Sequence, residues 1–353
     1  MPLDAEEKTM QAIQEMTPAA KAVTHAQAMK AITHRAYGEP DVLLSEEIPR
    51  PTPGEDEVLI RVHAAGASIG DHHIVTGKPY LVRLSPFGGF PKPRNLVPGA
   101  SMSGRVEAVG AKVTDFRVGD DVFGQTLHGA FAEYLVMPAK LLAIKPKNLT
   151  HEEAAAVPWG TTALQGLRDA GGLRPGQRVL INGASGAVGT WAVQIAKALG
   201  AEVTAVCSTR NVAMVRELGA DVVIDYTKED FVTGGARFDV LMDMVGNRSL
   251  SDCKRVLLPE GKYVPCAAGT GDWVGPLVWI LRAFLAFAFT KQHFKLFMQT
   301  LVASDLVVMR ELIEAGKIRP VVERTYALGE VGEALRHVGE GRARGLTVIR
   351  VVA

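Results

Sequence analysis

Cysteine is scarce in this chain: only Cys207, Cys253 and Cys266 occur among 353 residues, and none forms a CxxC pair. That excludes a disulfide framework and a cysteine-rich zinc lobe, and makes a reducing compartment, the cytoplasm, the expected setting. A charge imbalance is missing too, since 39 basic residues against 38 acidic ones leave a net +1. Nothing in that balance points to a nucleic-acid partner. Residues 1–28 are polar and alanine-rich with no long apolar run, which argues against a secretory signal, and Asp4, Glu6, Glu7 and Glu15 argue against a transit peptide. A loosely ordered extension is expected there.

What the chain does have is two textures. From 29 to 150, short β-rich segments (58–64, 103–109 and 131–136) are separated by turn signals such as Pro53-Gly54, Val118-Gly119-Asp120 and His128-Gly129. This predicts an irregular, mostly antiparallel β domain. After Thr150, the expected N-cap of a helix opening at His151-Glu152-Glu153, strands and helices alternate. The segments 179–182, 187–199, 202–206, 211–218, 221–224, 238–243 and 248–257 predict βαβ units on a parallel sheet. Gly200 and Gly219 stand where helix C-caps belong. The α/β domain is placed at 151–318, and 319–353 reads as a return to the first domain.

The run Val179-Leu180-Ile181-Asn182-Gly183-Ala184-Ser185-Gly186-Ala187-Val188-Gly189 reads as a buried strand, a glycine turn and a helix start. That geometry brings backbone close to a pyrophosphate and aims a helix N-terminus at its charge. Ala184 takes the first glycine place of a strict GxGxxG, so the βαβ context carries the assignment to a dinucleotide. About twenty residues on, where an acid would hold a ribose 2′-hydroxyl, stand Cys207-Ser208-Thr209-Arg210. Hydroxyls and a guanidinium suit a 2′-phosphate, which predicts NADPH. The expected cofactor set is Gly183, Ser185, Gly186, Ala187, Val188, Gly189, Ser208, Thr209, Arg210, Tyr226, Val245, Ala267, Ala268 and Gly269.

Several motifs in order resemble the zinc-independent quinone oxidoreductases of the medium-chain dehydrogenase/reductase superfamily. They are Val118-Gly119-Asp120-Asp121-Val122-Phe123-Gly124, Gly129-Ala130-Phe131-Ala132-Glu133-Tyr134, Ala154-Ala155-Ala156-Val157-Pro158 and Thr161-Thr162-Ala163-Leu164-Gln165. Val222-Val223-Ile224-Asp225-Tyr226 and Phe238-Asp239-Val240-Leu241-Met242-Asp243 add to them. The resemblance implies a GroES-like catalytic domain, a Rossmann cofactor domain, a cleft between them and a homodimer. Zinc alcohol dehydrogenases of that superfamily carry a cysteine where Ser68 stands and a histidine where Ala100 stands. A hydroxyl and a methyl do not replace thiolate and imidazole on Zn²⁺, so no metal is expected. His72 and His73, read as strand neighbours, would point to opposite faces.

Without a metal the chemistry rests on the cofactor, with donors placed where charge gathers on the substrate oxygen. Ser68, Asp71, Thr162 and Tyr80 are the catalytic candidates; many relatives show asparagine where Ser68 stands. The expected activity is reduction of a small lipophilic quinone or α,β-unsaturated carbonyl. Two alternatives stay open: an NADPH-binding sensor or interaction protein with little turnover, and a zinc-free alcohol dehydrogenase or ketone reductase. From Trp273 to Phe289 the chain is unusually apolar, too short and interrupted for a bilayer span. Leu277, Ile280, Leu281, Phe284 and Leu285 recur at helical spacing. A lid over the cleft is the favoured reading, beside a buried or dimer-contact helix and a peripheral membrane contact through 273–295.

Overall fold

The computed structural model describes residues 27–85, 88–267, 271, 273 and 275–352. The expected extension 1–28 and the site positions Ala268 and Gly269 therefore fall largely or wholly outside the described residues. The fold is α/β: a GroES-like irregular β-barrel domain beside a Rossmann domain built on a parallel sheet.

β1 (Ala28–Thr33) and β2 (Leu44–Pro49) form a small antiparallel ribbon. β3 (Glu57–Ala67) and β4 (Ser101–Val109) are the central pair of the barrel, and β5 (Asp121–Gln125), β6 (Tyr134–Pro138) and β7 (Leu142–Ile144) extend it. Val58, Ile60, Val62, Met102, Phe131 and Met137 fill the interior. The expected strand at 131–136 begins only at Tyr134, because the backbone of Phe131 is already engaged. Its carbonyl accepts from Ile32 at 2.9 Å and its N–H donates to Pro98 at 3.1 Å.

Thr150 caps the His151–Ala156 helix as expected, in a reciprocal capping box with Glu153. Beyond it lie β8 (Arg178–Asn182), β9 (Glu202–Cys207), β10 (Val222–Asp225), β11 (Phe238–Asp243), β12 (Leu257–Pro265) and β13 (His293–Phe294). All are parallel, in the order β10-β9-β8-β11-β12-β13. Chain direction across the sheet thus reverses between β8 and β11, the place where doubly wound folds open a ligand crevice. The segment 211–218 shortens to the Val212–Glu217 helix, preceded by one 3₁₀ turn. The segment 248–257 becomes the Leu250–Arg255 helix capped by Ser249, and Leu257 already belongs to β12.

β14 (Val322–Ala327) and β15 (Leu346–Arg350) leave this sheet and join the barrel, where β15 pairs antiparallel with β3. The last strand therefore ties the chain's end to its first domain, and the crossing stretch passes the glycine turn on its way.

Candidate cofactor and substrate site

The turn after β8 is shaped by three glycines with three different duties. Gly183 sits at φ +87°, where an L side chain is strained, and a Cβ there would meet Val245 Cγ2 at 2.8 Å. A Cβ on Gly189 would lie 2.1 Å from the Gly183 carbonyl oxygen, so only glycine lets the helix pack down on the turn. Gly186 is the N-cap of the Ala187–Ala198 helix and offers no capping side chain. Its missing Cβ faces open space, apart from the Gly183 oxygen at 3.6 Å. An uncapped helix N-terminus with a clear approach fits a pyrophosphate, and half-buried Ser185, Ala187 and Val188 stand at its rim.

The loop after β9 is fastened to this turn. Buried Asn211 donates from Nδ2 to Ser185 Oγ at 2.9 Å and to Ser208 Oγ at 3.2 Å. Arg210 is exposed beside them and donates from Nη2 to the carbonyl of Arg342 at 2.6 Å. The Gly345 N–H meets the Ser185 carbonyl at 2.9 Å, so the turn before β15 delivers exposed Arg342 and Arg344 to the same corner. Sequence reasoning missed Asn211, Arg342 and Arg344. Two arginines in the Gly341-Arg342-Ala343-Arg344-Gly345 run were the available signal.

Thr209 corrects an expectation. Its hydroxyl donates to Asp225 Oδ2 at 2.6 Å and pairs with Thr227 Oγ1 at 2.9 Å, so it is committed to the end of β10. That hydrogen bond, with those from Thr227 and Lys228, holds the Asp225 carboxyl well below the usual carboxylate range. Tyr226 is exposed at the same strand end, its N–H on the Cys207 carbonyl at 3.1 Å. Across the turn, buried Asp243 accepts from Asn182 Nδ2 at 2.8 Å and from the N–H groups of Val245 and Gly246 at 3.0 and 2.9 Å. Asp243 thereby fixes exposed Val245 beside Gly183, with half-buried Ala267 at the end of β12 nearby. Tyr226 and Val245 flank the crevice as two apolar shoulders.

Of the catalytic candidates, Ser68 and Asp71 are occupied with each other. Ser68 caps the Ile69–Thr76 helix, and its hydroxyl donates to Asp71 Oδ2 at 2.7 Å while its N–H donates to the same oxygen at 2.9 Å. Asp71 is buried, and it also accepts from the Ala100 backbone. Burial pushes its carboxyl up to about 6 against the pull of these donors. The structure therefore does not present Asp71, a catalytic candidate, to a ligand: buried, it joins Ser68 to Ala100, the residue before β4. Thr162 is half-buried on the Gly160–Gln165 helix; its carbonyl accepts from the Gly166 N–H, while its hydroxyl has no hydrogen-bond partner among the described residues. The neighbouring Thr161 donates to the Pro158 carbonyl at 2.8 Å.

Tyr80 lies elsewhere. Its ring stands 4.4 Å from that of Trp273, with the Arg83 guanidinium 4.6 Å above it. The structure thus groups it with the apolar segment. His72 and His73 lie on the Ile69–Thr76 helix and not on the expected strand, and their rings sit 6.0 Å apart. Burial lowers both pKa values. Among the described residues no group of three His, Cys, Asp or Glu side chains is placed to hold a metal.

Residues 54–147 match the alcohol dehydrogenase GroES-like domain family, and residues 218–349 match the family described as zinc-binding dehydrogenase. The chain is 33% identical over 341 residues to the 2-methylene-furan-3-one reductase of Solanum lycopersicum, covering 92% of this chain and 79% of that protein. It belongs to the quinone-oxidoreductase-like medium-chain dehydrogenases/reductases. This member is also 30% identical over 337 residues to the chloroplastic quinone-oxidoreductase QR1 of Triphysaria versicolor, covering 91% of this chain and 98% of the relative. The solved quinone oxidoreductase of Coxiella burnetii superposes with a TM-score of 0.81 at 28% identity, over 92% of this chain and all of the other. Like these relatives the chain is an oxidoreductase, in a family that uses NAD(P)H.

Proposed function

We propose that this enzyme reduces lipophilic quinones or α,β-unsaturated carbonyl compounds with NADPH and without a metal. The observation that carries the choice of NADPH is the corner formed by Ser208, Arg210, Arg342 and Arg344. Ser208 and exposed Arg210 end the loop after β9, Arg210 reaches the carbonyl of exposed Arg342, and Cys207 stands where an acid would hold a ribose 2′-hydroxyl. Glu323 at this corner is engaged by the Arg344 N–H at 2.9 Å and by His337. Relatives named as a 2-methylene-furan-3-one reductase, a quinone oxidoreductase and an NADPH-dependent alkenal/one oxidoreductase support the substrate class.

Bound NADPH would supply a hydride for the β-carbon of an α,β-unsaturated carbonyl or for a quinone, with negative charge gathering on the substrate oxygen. The residues of this chain hold the reactants and receive that charge. The uncapped Ala187–Ala198 helix and Gly186 anchor the pyrophosphate. Thr162, with its hydroxyl uncommitted, donates to the substrate oxygen, and water supplies the closing proton. Ser68 keeps its hydroxyl on Asp71 and thereby fixes the wall of the cleft below Gly70.

A panel of quinones, enones and simple ketones, followed by NADPH absorbance with products identified, tests this reading. Quinol or saturated ketone supports it. Alcohol from a simple ketone assigns the chain to carbonyl reduction. Tight NADPH binding with no consumption across the panel assigns it to sensing.

A further inference from the structure

The Gly275–Ala288 helix buries only one narrow face. Pro276, Ala283 and Phe287 turn inward, where Phe287 packs at 6.0 Å on the Tyr263 ring. The opposite face carries Leu277, Val278, Leu281, Phe284 and Leu285, each between 41% and 60% exposed. Trp273 precedes the helix at 71% exposure and Phe289 follows it at 94%. An open patch of this kind marks an interaction surface.

Charge identifies what covers it. Between Trp273 and Ser304 the chain has no aspartate or glutamate, while Arg282, Lys291 and Lys295 are all exposed. Between His72 and Val106 there is again no acid, and exposed Lys92, Arg94, Leu84 and Phe90 lie in that stretch. Tyr80, its ring tilted against that of Trp273 at 4.4 Å, brings the two acid-free stretches together as a basic, apolar surface. We infer that this surface, centred on the Gly275–Ala288 helix, seats the protein on an anionic lipid bilayer. Its apolar face enters the acyl boundary, aromatic Trp273 and Phe289 sit at headgroup depth, and Arg282, Lys291 and Lys295 meet lipid phosphates. A two-fold contact between copies through this helix would instead bring the cations of both copies into one interface, with no acid in the segment to answer them. No helix among the described residues is long and apolar enough to cross a membrane, so the helix lies on the surface.

Flotation of the full chain with equimolar phosphatidylcholine–phosphatidylglycerol vesicles, against pure phosphatidylcholine vesicles, tests the inference. The protein should float with the anionic vesicles only, and rising salt should release it. Replacing Arg282, Lys291 and Lys295 together by alanine should weaken partitioning by about fivefold per cation. The pair Leu281→Glu and Leu285→Glu should abolish it, with an unchanged thermal midpoint showing that the variant is folded. A wild-type chain that stays in solution beside anionic vesicles overturns the inference. So does a lipid-free dimer that the Leu281→Glu, Leu285→Glu pair splits into monomers, since a second copy would then cover the face. Neither readout depends on reductase activity, so failure here is distinct from failure of the reductase reading.

Discussion

Gln299 and Gln125 hold each other amide to amide between the two sheets. Gln299 Nε2 donates to Gln125 Oε1 at 2.6 Å, and a longer return contact spans 3.4 Å. The same Nε2 reaches the hydroxyl of Thr161, next to Thr162. Gln125 ends β5 of the barrel, while Gln299 follows β13 of the cofactor sheet, so this amide pair fixes the cleft's width beside Thr162. Gln299→Ala should cost about 1–3 kcal/mol in stability, because it strands partly buried polar groups. It should also lower kcat with little change in NADPH affinity, since the glycine turn is untouched. Urea unfolding and steady-state kinetics check both.

Gly186 and Gly189 should part company on substitution. Gly189→Ala drives a methyl against the Gly183 carbonyl, and a loss of about 3 kcal/mol or more is expected. Gly186 has φ −80° and an unobstructed Cβ direction, so Gly186→Ala should leave the thermal midpoint alone. Its methyl should nevertheless weaken dinucleotide binding by narrowing the approach to the helix N-terminus. Calorimetry on both variants, with and without NADPH, separates the two duties.

Two opposed groups with large shifts contribute to the acid side of the stability profile, beside other histidines whose pKa burial lowers. His151 donates or accepts at Ser103 Oγ (2.8 Å) and stacks on His63 at 4.3 Å. Burial, with His63 beside it, lowers its pKa from 6.5 to about 4. The unfolded chain therefore takes up a proton before the folded one does, and stability falls as pH drops through that interval. Asp71 runs the other way: raised from 3.8 to about 6, it favours the folded state at low pH and loses that contribution as pH rises. His151→Asn removes one histidine contribution, so stability should fall less steeply than in the wild type as pH drops from about 6 to about 4. Urea midpoints across that range would contradict the account if the variant's slope matched the wild type's.

Exhaustive chelation should leave turnover unchanged, and added Zn²⁺ should not raise it. The reason lies in the side chains: Ser68 is bonded to Asp71 and Ala100 has only a methyl group. Activity lost to a chelator and restored by Zn²⁺ would refute the metal-free mechanism.

Much of this was legible in the sequence because it is local. The Thr150–Glu153 capping box, the glycine turn and β11 each follow from spacing within a few residues. One miss is local, the Ile69–Thr76 helix signalled by the Ser68–Asp71 capping box; the others are long-range. Phe131 leaves its expected strand because Ile32 and Pro98 claim its backbone. Thr209 turns away from the phosphate corner because Asp225, on the next strand, accepts its hydroxyl. Arg342 reaches Arg210 from 132 residues further along the chain, and only the return of β15 to the barrel brings them together. No periodicity announces such a contact. The apolar helix was found by its spacing, yet its open face became evident only once the sheet had claimed Phe287.

The central claim is that Arg210 and its neighbours select the 2′-phosphate. Fluorescence titration of NADPH and NADH against the wild type and Arg210→Ala tests it most directly. The account predicts that the wild type prefers NADPH, and that Arg210→Ala weakens NADPH by about tenfold or more while NADH binding stays the same. Equal losses for both dinucleotides, or a wild type indifferent between them, would contradict it.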